Sequence, residues 1–460
     1  MAMKPIITSL SLFIASSCFA APNFLFIIGD DCSRTDLELY GGQAKTPNLL
    51  KLAAQGMTFN RSFQAAPMCS PTRHNLYTGL YPVKSGAYPN HTFVKDGVKS
   101  VVQHLKPLGY RVALSGKRHV NPSEVFAFEG KATGNNPNFE WIDEFMAECK
   151  KSETPFCLFA CSNEPHSPWN KGDASKYPPE KLDLPSTWVD TPEQRDAYSR
   201  YLAEITYYDS QLGECMRLLD KHGIAENTLL IFTSEQGSAF PFAKWTCYDT
   251  GLHNGFVARW PQVIKADTKT DAMIEYVDLL PTYLDAAGAD VPADLDGKSY
   301  LPVLKGETKH HKDHVYGIHT TRGIINGSTT FGIRSIRSEK FKLIVNLSPE
   351  IMFQNACTKS REFKSWEAAA QTDSDAADKV KRYRWRPAIE FYDITQDPLE
   401  WNNLASNPEY ASEVQKLRSK LDAWMKEQGD LGQATEEKAR DHQKRGNNKK
   451  KKNKKNTDNN

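Results

Sequence analysis

The sequence predicts an α/β fold: a large mixed, mostly parallel β-sheet flanked by helices, followed by a smaller α+β region with an antiparallel sheet. Three observations predict it. Short, nearly continuous apolar segments recur along the first two thirds of the chain, amphipathic segments separate them, and alternating segments replace them later. Continuous apolar segments are typical of strands buried on both faces, and strand–helix alternation is typical of parallel sheets. A chain of 460 residues is long enough for more than one domain.

The individual elements follow from these patterns. The predicted parallel strands are Asn23–Gly29, Arg111–Gly116, 155–162 and Thr228–Ser234. Helical spacing of apolar residues predicts helices over 46–54, 97–108, 194–222 and 408–429. Residues 331–347 alternate like antiparallel strands, and residues 389–405 predict a further strand, a turn and the start of a helix.

Composition divides the chain into four segments. Residues 1–20 combine a lysine, an apolar stretch and terminal small residues, which is the layout of a signal peptide. We therefore expect an exported protein, periplasmic or secreted, and no later stretch is apolar enough to span a membrane. We expect a catalytic domain over 21–306, a C-terminal subdomain over 307–430 and a basic, disordered tail over 431–460.

Charge and cysteine content narrow the function further. The formal net charge of +2 gives no global attraction to nucleic acid, and the lysine-rich tail is either a solvated segment or a tether to a polyanion. Eight cysteines follow the signal segment, and an exported protein permits disulfides among them, although spacing does not determine their pairing. Cys157 and Cys161 lie in an apolar segment and are expected to be buried thiols.

Polar side chains follow the predicted strands at the point where each strand ends. Asp30 and Asp31 come directly after the first strand, and Glu235 and Gln236 follow the fourth. Ligands of parallel sheets bind outside the carboxyl ends of the strands. Four oxygen ligands from two strand ends suit Ca²⁺ or Mg²⁺, whereas the alternative for the two aspartates is a helix N-cap pair without metal.

Cations and histidines are expected around these acidic residues. Basic side chains supply charge for a tetrahedral anion, and histidine can protonate a leaving oxygen or nitrogen. Together with a divalent metal, they indicate hydrolysis of a sulfate or phosphate ester. The candidates are Arg73, Lys117, His119, His166 and Lys244.

The segment Cys69-Ser70-Pro71-Thr72-Arg73, continued by Leu76, Thr78 and Gly79, resembles the signature of the type I sulfatases. "GYRVALSGKRH", "PHSPW", "TSEQG" and "FYDITQDPLEWNNLA" occur in the order of that family, and the resemblance covers nearly the whole mature chain. It is greatest to the N-sulfoglucosamine sulfohydrolase (heparan N-sulfatase) branch and its bacterial polysaccharide sulfatases. It implies an alkaline-phosphatase-like sandwich with a C-terminal antiparallel sheet.

The resemblance also implies a role for each candidate. Cys69 would be oxidised by a formylglycine-generating enzyme to formylglycine, whose hydrated aldehyde attacks sulfur. One Ca²⁺ would be held by Asp30, Asp31, the group made from Cys69, Glu235 and Gln236. Arg73 would stabilise the hydrate, and Lys117, His119 and Lys244 would bind the sulfate oxygens. His166 would protonate the leaving group, with Lys244 as the second choice. Glu235-Gln236 departs from the family, which usually has Asp followed by Asn or His, and each side chain is one methylene longer than in Asp-Asn.

A sulfated oligo- or polysaccharide is the expected substrate. His91, His253, His319 and Arg322 are interpreted as residues of polar loops that line a sugar pocket, and Trp169 and Trp245 as stacking platforms or core residues. We favour O-sulfate esters of a marine or algal polysaccharide, with N-sulfoglucosamine of heparan type as the alternative. Two further alternatives are a phosphoryl-transfer enzyme, which predicts a serine or threonine nucleophile and several metal-binding histidines, and a non-catalytic polyanion-binding protein.

Overall fold

A computed structural model of the chain describes residues 21–130 and 134–443. The signal segment predicted over 1–20 lies outside the described residues, as does the final stretch 444–460 of the predicted tail.

Eight strands form the central sheet, which is mixed and mostly parallel as predicted. They are β1 (Asn23–Gly29), β2 (Met57–Phe63), β3 (Arg111–Gly116), β4 (Phe156–Cys161), β5 (Thr228–Ser234), β6 (His253–Arg259), β7 (Thr268–Thr270) and β8 (Ile274–Glu275). Their order is β3-β4-β1-β5-β6-β2-β7, and β8 pairs with β2. Strands β3, β4, β1 and β5 are parallel neighbours, and β6 runs antiparallel to both β5 and β2.

The four predicted parallel strands are therefore β1, β3, β4 and β5, and their carboxyl ends share one edge of the sheet. Strand β1 lies in the middle, so its alternate side chains point into two different cores. Leu25 and Ile27 belong to one core and Phe24 and Phe26 to the other. The sequence patterns did not predict β2 and β6.

Helices cover both faces of this sheet. They are α1 (Pro47–Ala54), α2 (Cys69–Thr78), α3 (Pro82–Ser85), α4 (Val101–Leu105), α5 (Phe139–Lys151), α6 (Pro192–His222), α7 (Asp249–Leu252), α8 (Leu279–Ala286) and α9 (Leu301–Leu304). Helices α1, α5 and α6 bury their apolar residues with Leu25 and Ile27, whereas α4 and α8 pack with Phe24 and Phe26. The long helix α6 is capped by Thr191, whose side chain accepts from the Gln194 amide, and it ends before Gly223, whose positive φ lets the chain leave the helix.

The second sheet is antiparallel, as predicted. Its strands are β9 (Val315–Thr320), β10 (Gly332–Arg337), β11 (Phe341–Asn346) and β12 (Ile389–Asp393), in the order β12-β11-β10-β9. Helices α10 (Arg361–Ala369), α11 (Ser374–Arg384), α12 (Ala411–Gln428) and α13 (Gln433–Gln443) complete this part. Helix α12 packs Leu417 and Leu421 against Leu343 and Phe391 of the sheet. The domain boundary at 306 stays a prediction.

Helix α13 corrects the predicted start of the disordered tail at residue 431. Its Glu436 is buried and binds the buried Arg334 of β10 at 2.8 Å, and Ala439 packs in a small core with Tyr88 and Ile318. The polar segment 433–443 forms a helix because the buried Glu436–Arg334 ion pair and the buried side chain of Ala439 attach it to the second sheet. The prediction was therefore wrong for residues 433–443.

The eight cysteines after the signal segment are all buried and unpaired in the structure, which confirms the expectation for Cys157 and Cys161. In the part of the chain that the structure describes, no helix combines the length and apolar character needed to cross a bilayer.

Helix α2 carries a buried histidine, His74, that makes the stability of the folded protein depend on pH. His74 donates from Nδ1 to the Ser70 carbonyl at 2.7 Å, and its Nε2 lies 3.1 Å from both the amide nitrogen and the carbonyl oxygen of Asn121. Burial lowers the pKa of His74 to about 4, below its ordinary 6.5. The stabilisation by the neutral ring is therefore present above pH 6.5 and is lost as pH falls through 4.

We predict that His74→Gln makes unfolding less dependent on pH. The difference in unfolding free energy between wild type and variant should be largest at pH 7 and shrink by up to about 3 kcal/mol near pH 4. Urea unfolding across this range measures it, with the exposed His310→Gln as the matched control. An unchanged difference at both ends of the range would contradict this account.

Candidate active site

The site lies at the carboxyl edge of the parallel strands, where three of them are tied together by backbone hydrogen bonds. The amide of Asp30, just after β1, donates to the Glu164 carbonyl after β4 at 3.1 Å. The amide of Glu235, just after β5, donates to the Gly29 carbonyl at 2.9 Å. These two bonds bring the predicted acidic residues of different strands to one place.

Cys69 is the first residue of α2, and the side chain of Thr72 holds the loop that precedes it. Thr72 places its hydroxyl 2.5 Å from the Ala66 carbonyl and 2.6 Å from Oε1 of Gln64. Thr72 therefore anchors the turn that presents Cys69. Burial raises the pKa of the Cys69 thiol to about 12, and the Asp30 charge adds to this. The unmodified thiol is thus a poor nucleophile.

Three buried ion pairs surround Cys69. Arg73 pairs with Glu235, Lys117 with Asp30, and Lys244 with Asp31, the last at 2.6 and 2.8 Å to the two carboxylate oxygens. Three acids and three bases predicted from the sequence are thus brought together, and each charge is matched by an opposite one. A buried charge is tolerated when it is paired in this way.

The pKa shifts reflect this pairing. Burial alone would raise the pKa of Asp30, but the Lys117 ammonium, with His166 and Lys244, holds it well below its usual value. Burial also raises the pKa of Glu235, to about 7, although Arg73 opposes the shift. Lys117 and Lys244 both have raised pKa values, because the aspartates outweigh the effect of burial. Both lysines are therefore charged at neutral pH.

Gln236 bridges the two aspartates. Its Nε2 donates to Oδ1 of Asp30 at 3.0 Å and to Oδ1 of Asp31 at 2.6 Å, and lies 3.8 Å from Sγ of Cys69. Its own Oε1 is buried and finds no hydrogen-bond donor among the described residues. The longer glutamine therefore reaches the same centre that the two aspartates line.

The donor set fits a hard divalent cation. Two aspartates, the carboxylate of Glu235 and the unpartnered Oε1 of Gln236 are oxygen ligands of the kind that Ca²⁺ takes. Ligand atoms of Asp30, Cys69 and His166 also lie within 4.8 Å of one another. A divalent cation at this position would relieve the repulsion between adjacent carboxylates.

His166 and His119 approach the centre from two loops. His166 Nε2 lies 3.8 Å from Oδ2 of Asp31, and its Nδ1 donates to the Ser167 carbonyl at 2.7 Å. His119 Nε2 lies 2.8 Å from Nδ1 of His91, and its own Nδ1 is buried and without a partner among the described residues. Burial, followed by the Lys117 charge, lowers the pKa of His119 to about 2, so its ring is neutral.

A cavity of about 450 Å³ opens beside these cations. It is lined by Gly116, Lys117, Arg118, His119, Gly134 and Asn135. Such a volume accommodates a sugar-sized ligand next to the anion-binding groups. Sequence reasoning missed Gly134 and Asn135, because they lie in a polar loop with no motif.

The structure separates the four predicted sugar-binding residues into two groups. His91 bonds His119, and the backbone carbonyl of Arg322 accepts from the Asn90 amide at 3.2 Å, so both are near the site. The prediction that His253 and His319 lie in polar loops was wrong. They lie in strands β6 and β9.

Both corrections have a packing reason. His253 stacks on Phe63, with the ring centroids 4.5 Å apart, and its Nε2 contacts the Asn60 carbonyl at 2.7 Å. His319 is fully buried next to Phe353, and burial lowers its pKa well below the usual value. The His319 ring is fully buried, and the His253 ring is largely buried by its packing on Phe63.

Of the two tryptophans considered as stacking platforms, Trp245 is a buried core residue and Trp169 is half-buried and packs against the core. Trp169 stacks on Phe240 with the centroids 4.9 Å apart and donates to the Pro165 carbonyl at 2.9 Å. Trp245 is 8% exposed, and Nζ of Lys244 lies 5.1 Å from its ring. Trp245 thus helps position a lysine of the site.

An α/β enzyme with an anion-binding centre at its strand ends is the class that the fold and the site define. The sulfatase family model matches residues 22–289. The model described as N-sulphoglucosamine sulphohydrolase, C-terminal, matches residues 237–354. The chain belongs to the sulfatase family.

Individual relatives agree with this assignment. An "Ulvan-active sulfatase" of Formosa agariphila is 36% identical over 439 residues, which cover 92% of this chain and 84% of the relative. The "N-sulphoglucosamine sulphohydrolase" of Homo sapiens is 25% identical over 478 residues, covering 91% of this chain and 93% of the relative. A protein solved in complex with its substrate D-glucosamine-2-N,6-O-disulfate has a TM-score of 0.66 at 18% identity, covering 90% and 99% of the two chains. The predicted alkaline-phosphatase-like fold is confirmed.

We predict that Gln236→Leu weakens binding of a divalent cation. The variant loses the amide that bridges Asp30 and Asp31 and the oxygen available to a cation. Calcium at 100 times its dissociation constant should stabilise the wild type by about 2.7 kcal/mol, and most of this should be lost in the variant. Thermal unfolding with and without Ca²⁺ measures the effect.

Gln236→Asn, which keeps the amide on a shorter side chain, should retain part of the calcium response. The exposed Gln415→Leu is the control. A full calcium-induced shift in Gln236→Leu would rule out a metal role for this residue.

We predict that His91→Ala lowers kcat/KM for a sulfated substrate about tenfold, which corresponds to about 1.4 kcal/mol. Two neutral imidazoles 2.8 Å apart share one hydrogen, so His91 determines which nitrogen of His119 carries its proton. His91→Gln, which retains a polar partner, should recover part of the loss and shift the pH profile. The control is the half-exposed His104→Ala, which should leave kcat/KM and its pH profile unchanged. If His91→Ala also leaves kcat/KM and its pH profile unchanged, the His91–His119 pair has no role in the reaction.

Proposed function

We propose that the protein is an exported sulfatase that hydrolyses O-sulfate esters of a marine or algal polysaccharide, or of its oligosaccharides. The observation that carries the chemistry is the set of three ion pairs around Cys69 at the start of α2. The sugar class is supported by the ulvan-active relative, which is 36% identical over 92% of this chain. Export is supported by the signal-like segment 1–20.

The proposed chemistry uses formylglycine made from Cys69 by a formylglycine-generating enzyme, together with one Ca²⁺. When present, the hydrated aldehyde supplies a nucleophilic hydroxyl, and the cation polarises a sulfate oxygen and neutralises the carboxylates. Asp30, Asp31, Glu235 and Gln236 would hold the cation.

The other residues bind the sulfate and move a proton. The Lys117 and Lys244 ammonium groups, both charged, stabilise the negative charge on the sulfate oxygens, and the neutral His119 offers its buried Nδ1 as a further hydrogen-bonding group. Arg73, which pairs with Glu235, keeps the carboxylate oriented towards the centre. Hydrolysis breaks the bond between sulfur and the sugar oxygen, and that oxygen takes a proton as it leaves.

His166 is the proposed donor of this proton. The Ser167 carbonyl fixes the hydrogen on Nδ1, which leaves Nε2 to receive and deliver a proton on the side of Asp31. About a third of its side chain is exposed, so the ring reaches both the centre and the bound sugar.

The second candidate is sulfamidase activity on N-sulfoglucosamine of heparan type. It is favoured by the C-terminal match at residues 237–354 and by the human relative at 25% identity. In that reaction His166 would protonate nitrogen.

The test is sulfate release by the calcium-loaded enzyme, after mass spectrometry of the Cys69 peptide has established the aldehyde. Ulvan, carrageenan and fucan oligosaccharides form one arm, and N-sulfoglucosamine and heparin oligosaccharides form the other. We expect release from the O-sulfated arm. Release from the N-sulfated arm alone would replace the proposal by the second candidate, and no release from either arm would overturn both.

We predict that Cys69→Ser lowers sulfate release about 1000-fold or more, because serine provides a hydroxyl but no aldehyde hydrate. Its unfolding temperature should stay close to that of the wild type, since the side chains have nearly the same size. Activity at the wild-type level would show that the reaction needs no modified cysteine.

A further inference from the structure

A second pocket, of about 300 Å³, lies between the part of the protein that contains the central sheet and the part that contains the antiparallel sheet. Tyr81 lines it from the first part. Tyr316 of β9 lines it from the second, together with Trp424 and Gln428 of α12. Cys69 begins α2 and Tyr81 follows its other end, so the ten residues of this helix, about 15 Å in length, separate the pocket from the active site. The chemistry proposed above uses none of the residues that line it.

Two buried polar atoms of this pocket have no hydrogen-bond partner. Nε1 of Trp424 carries a hydrogen but finds no acceptor, and Oε1 of Gln428 finds no donor, among the described residues. The two residues are 5% and 3% exposed, so bulk water does not reach these atoms freely. Buried polar groups in native proteins are nearly always hydrogen-bonded. Because the two side chains are one helical turn apart on α12, they offer a donor and an acceptor to the same ligand.

A hydroxyl group satisfies both atoms, because it accepts from the indole N–H of Trp424 and donates to the amide oxygen of Gln428. An ammonium group has no lone pair with which to accept, and a sulfate group has no hydrogen to donate. The pair therefore favours a hydroxyl-bearing ligand over a cation or an anion.

Three aromatic rings form the walls of the pocket. The rings of Tyr316 and Trp424 are parallel, with centroids 4.7 Å apart. The ring of Tyr81 stands nearly perpendicular to both, with its centroid 6.2 Å from that of Tyr316 and 5.1 Å from that of Trp424. Aromatic walls with a few polar groups are typical of sites for small molecules, and the flat faces of a sugar ring fit against such walls.

Hydrogen bonds hold these walls in place without a ligand. The Tyr81 hydroxyl donates to Glu275 at 2.5 Å, and the Tyr316 amide donates to the same carboxylate at 3.1 Å. Lys312, which also lines the pocket, binds Glu275 at 2.7 Å and Asp278 at 2.8 Å. The positive charge of this lysine is therefore already neutralised, and little ordering remains to be done when a ligand enters.

The mouth of the pocket carries negative charge. Asp313 and Glu427 are exposed residues of its lining. Burial lowers the pKa of His314, the histidine of the lining, so its ring is neutral at neutral pH. A sulfated sugar is repelled by this surface, whereas an uncharged sugar is not.

We propose that the pocket is a non-catalytic binding site for an uncharged sugar ring, either as a free sugar or as an unsulfated unit of a longer chain. The site is separate from the proposed hydrolysis of sulfate esters and does not depend on which sulfate is removed. Its ligand gives a hydroxyl group to Trp424 and Gln428 and lies against the aromatic walls.

The test follows the indole N–H signal of Trp424 by NMR in the full-length protein. The chain has nine tryptophans, and the signal that is lost in Trp424→Phe is the one that belongs to Trp424. The neutral probes are the methyl glycosides of glucose, galactose, mannose and xylose. We expect at least one of them to shift this signal at millimolar concentration, the affinity typical of a single small sugar. A sulfated form of the bound glycoside should bind about tenfold more weakly or worse.

The decisive variant is Gln428→Met, which removes the acceptor and keeps the length of the side chain. It should weaken sugar binding about tenfold or more, whereas its unfolding temperature should not fall, because the lost oxygen has no partner in the fold. Gln415→Met, an exposed position on the same helix, is the control and should bind as the wild type does. Equal affinities in Gln428→Met and in the wild type would overturn the proposal.

Further probes decide between the possible occupants. Tighter binding of maltotriose than of the monosaccharide identifies a unit of a chain as the ligand, and equal affinities identify a free or terminal sugar; both results support the proposal. A Trp424 signal that moves only with tetramethylammonium identifies a cation pocket and overturns it, and so does a signal that moves with no probe, since water alone then satisfies the two atoms.

Sulfate release separates this proposal from the proposed function. Gln428→Met should release sulfate from a small sulfated sugar at the wild-type rate, because the pocket lies apart from Cys69. If the wild type releases no sulfate but still binds the neutral glycoside, the proposed function fails and the sugar pocket stands. If sulfate is released and no neutral glycoside binds, the sugar pocket fails alone.

Discussion

The mutual neutralisation of six buried charges around one cysteine is the interaction on which the rest of the structure depends. Two pairs have partners from different strand ends, and the third joins α2 to the end of β5. The pairs are Lys117–Asp30, Lys244–Asp31 and Arg73–Glu235. Removing one partner of such a pair costs about 3–5 kcal/mol, because it leaves an uncompensated charge in the protein interior. The backbone bonds that join the ends of β1, β4 and β5 are therefore as necessary to the site as the side chains themselves.

The same balance bears on the proposed divalent cation. When all six groups are ionised, three acids and three bases give no net charge. Each lysine is also engaged by an aspartate, so an incoming sulfate meets little attraction. A divalent ion held by the acids would give the centre a charge of +2 and leave the lysines available to the sulfate. Gln236 fits this arrangement, because it holds the two aspartates together through its nitrogen while its oxygen stays without a partner.

The parts that could be predicted from the sequence are those in which local pattern and chemistry coincide. The strands β1, β3, β4 and β5 are continuously apolar, and their polar ends identified Asp30, Lys117 and Glu235 before any geometry was available. Strand β2 has the sequence "MTFNRSF". Its polar residues interrupt the apolar pattern, and its pairing is with residues that are distant in the sequence. His253 and His319 have polar neighbours in sequence, but tertiary packing places both rings in strands, where propensity and local polarity are overridden. Helix α13 depends on a single buried arginine about 100 residues away, which no local pattern can reveal.

Helix α13 also connects the two parts of the protein, because it contacts Tyr88 and Asn90. The segment from Tyr88 to His91 is held by α13 on one side and reaches His119 on the other. The acidic residues lie on other segments, at the ends of β1 and β5. The segment from Tyr88 to His91 and the residues proposed to hold a cation therefore occupy separate parts of the chain. Changes in α13 or in the loop of Arg322 can shift the segment that carries His91 while the charge balance around Cys69 is preserved, because no partner of the three ion pairs lies on α13 or on that loop.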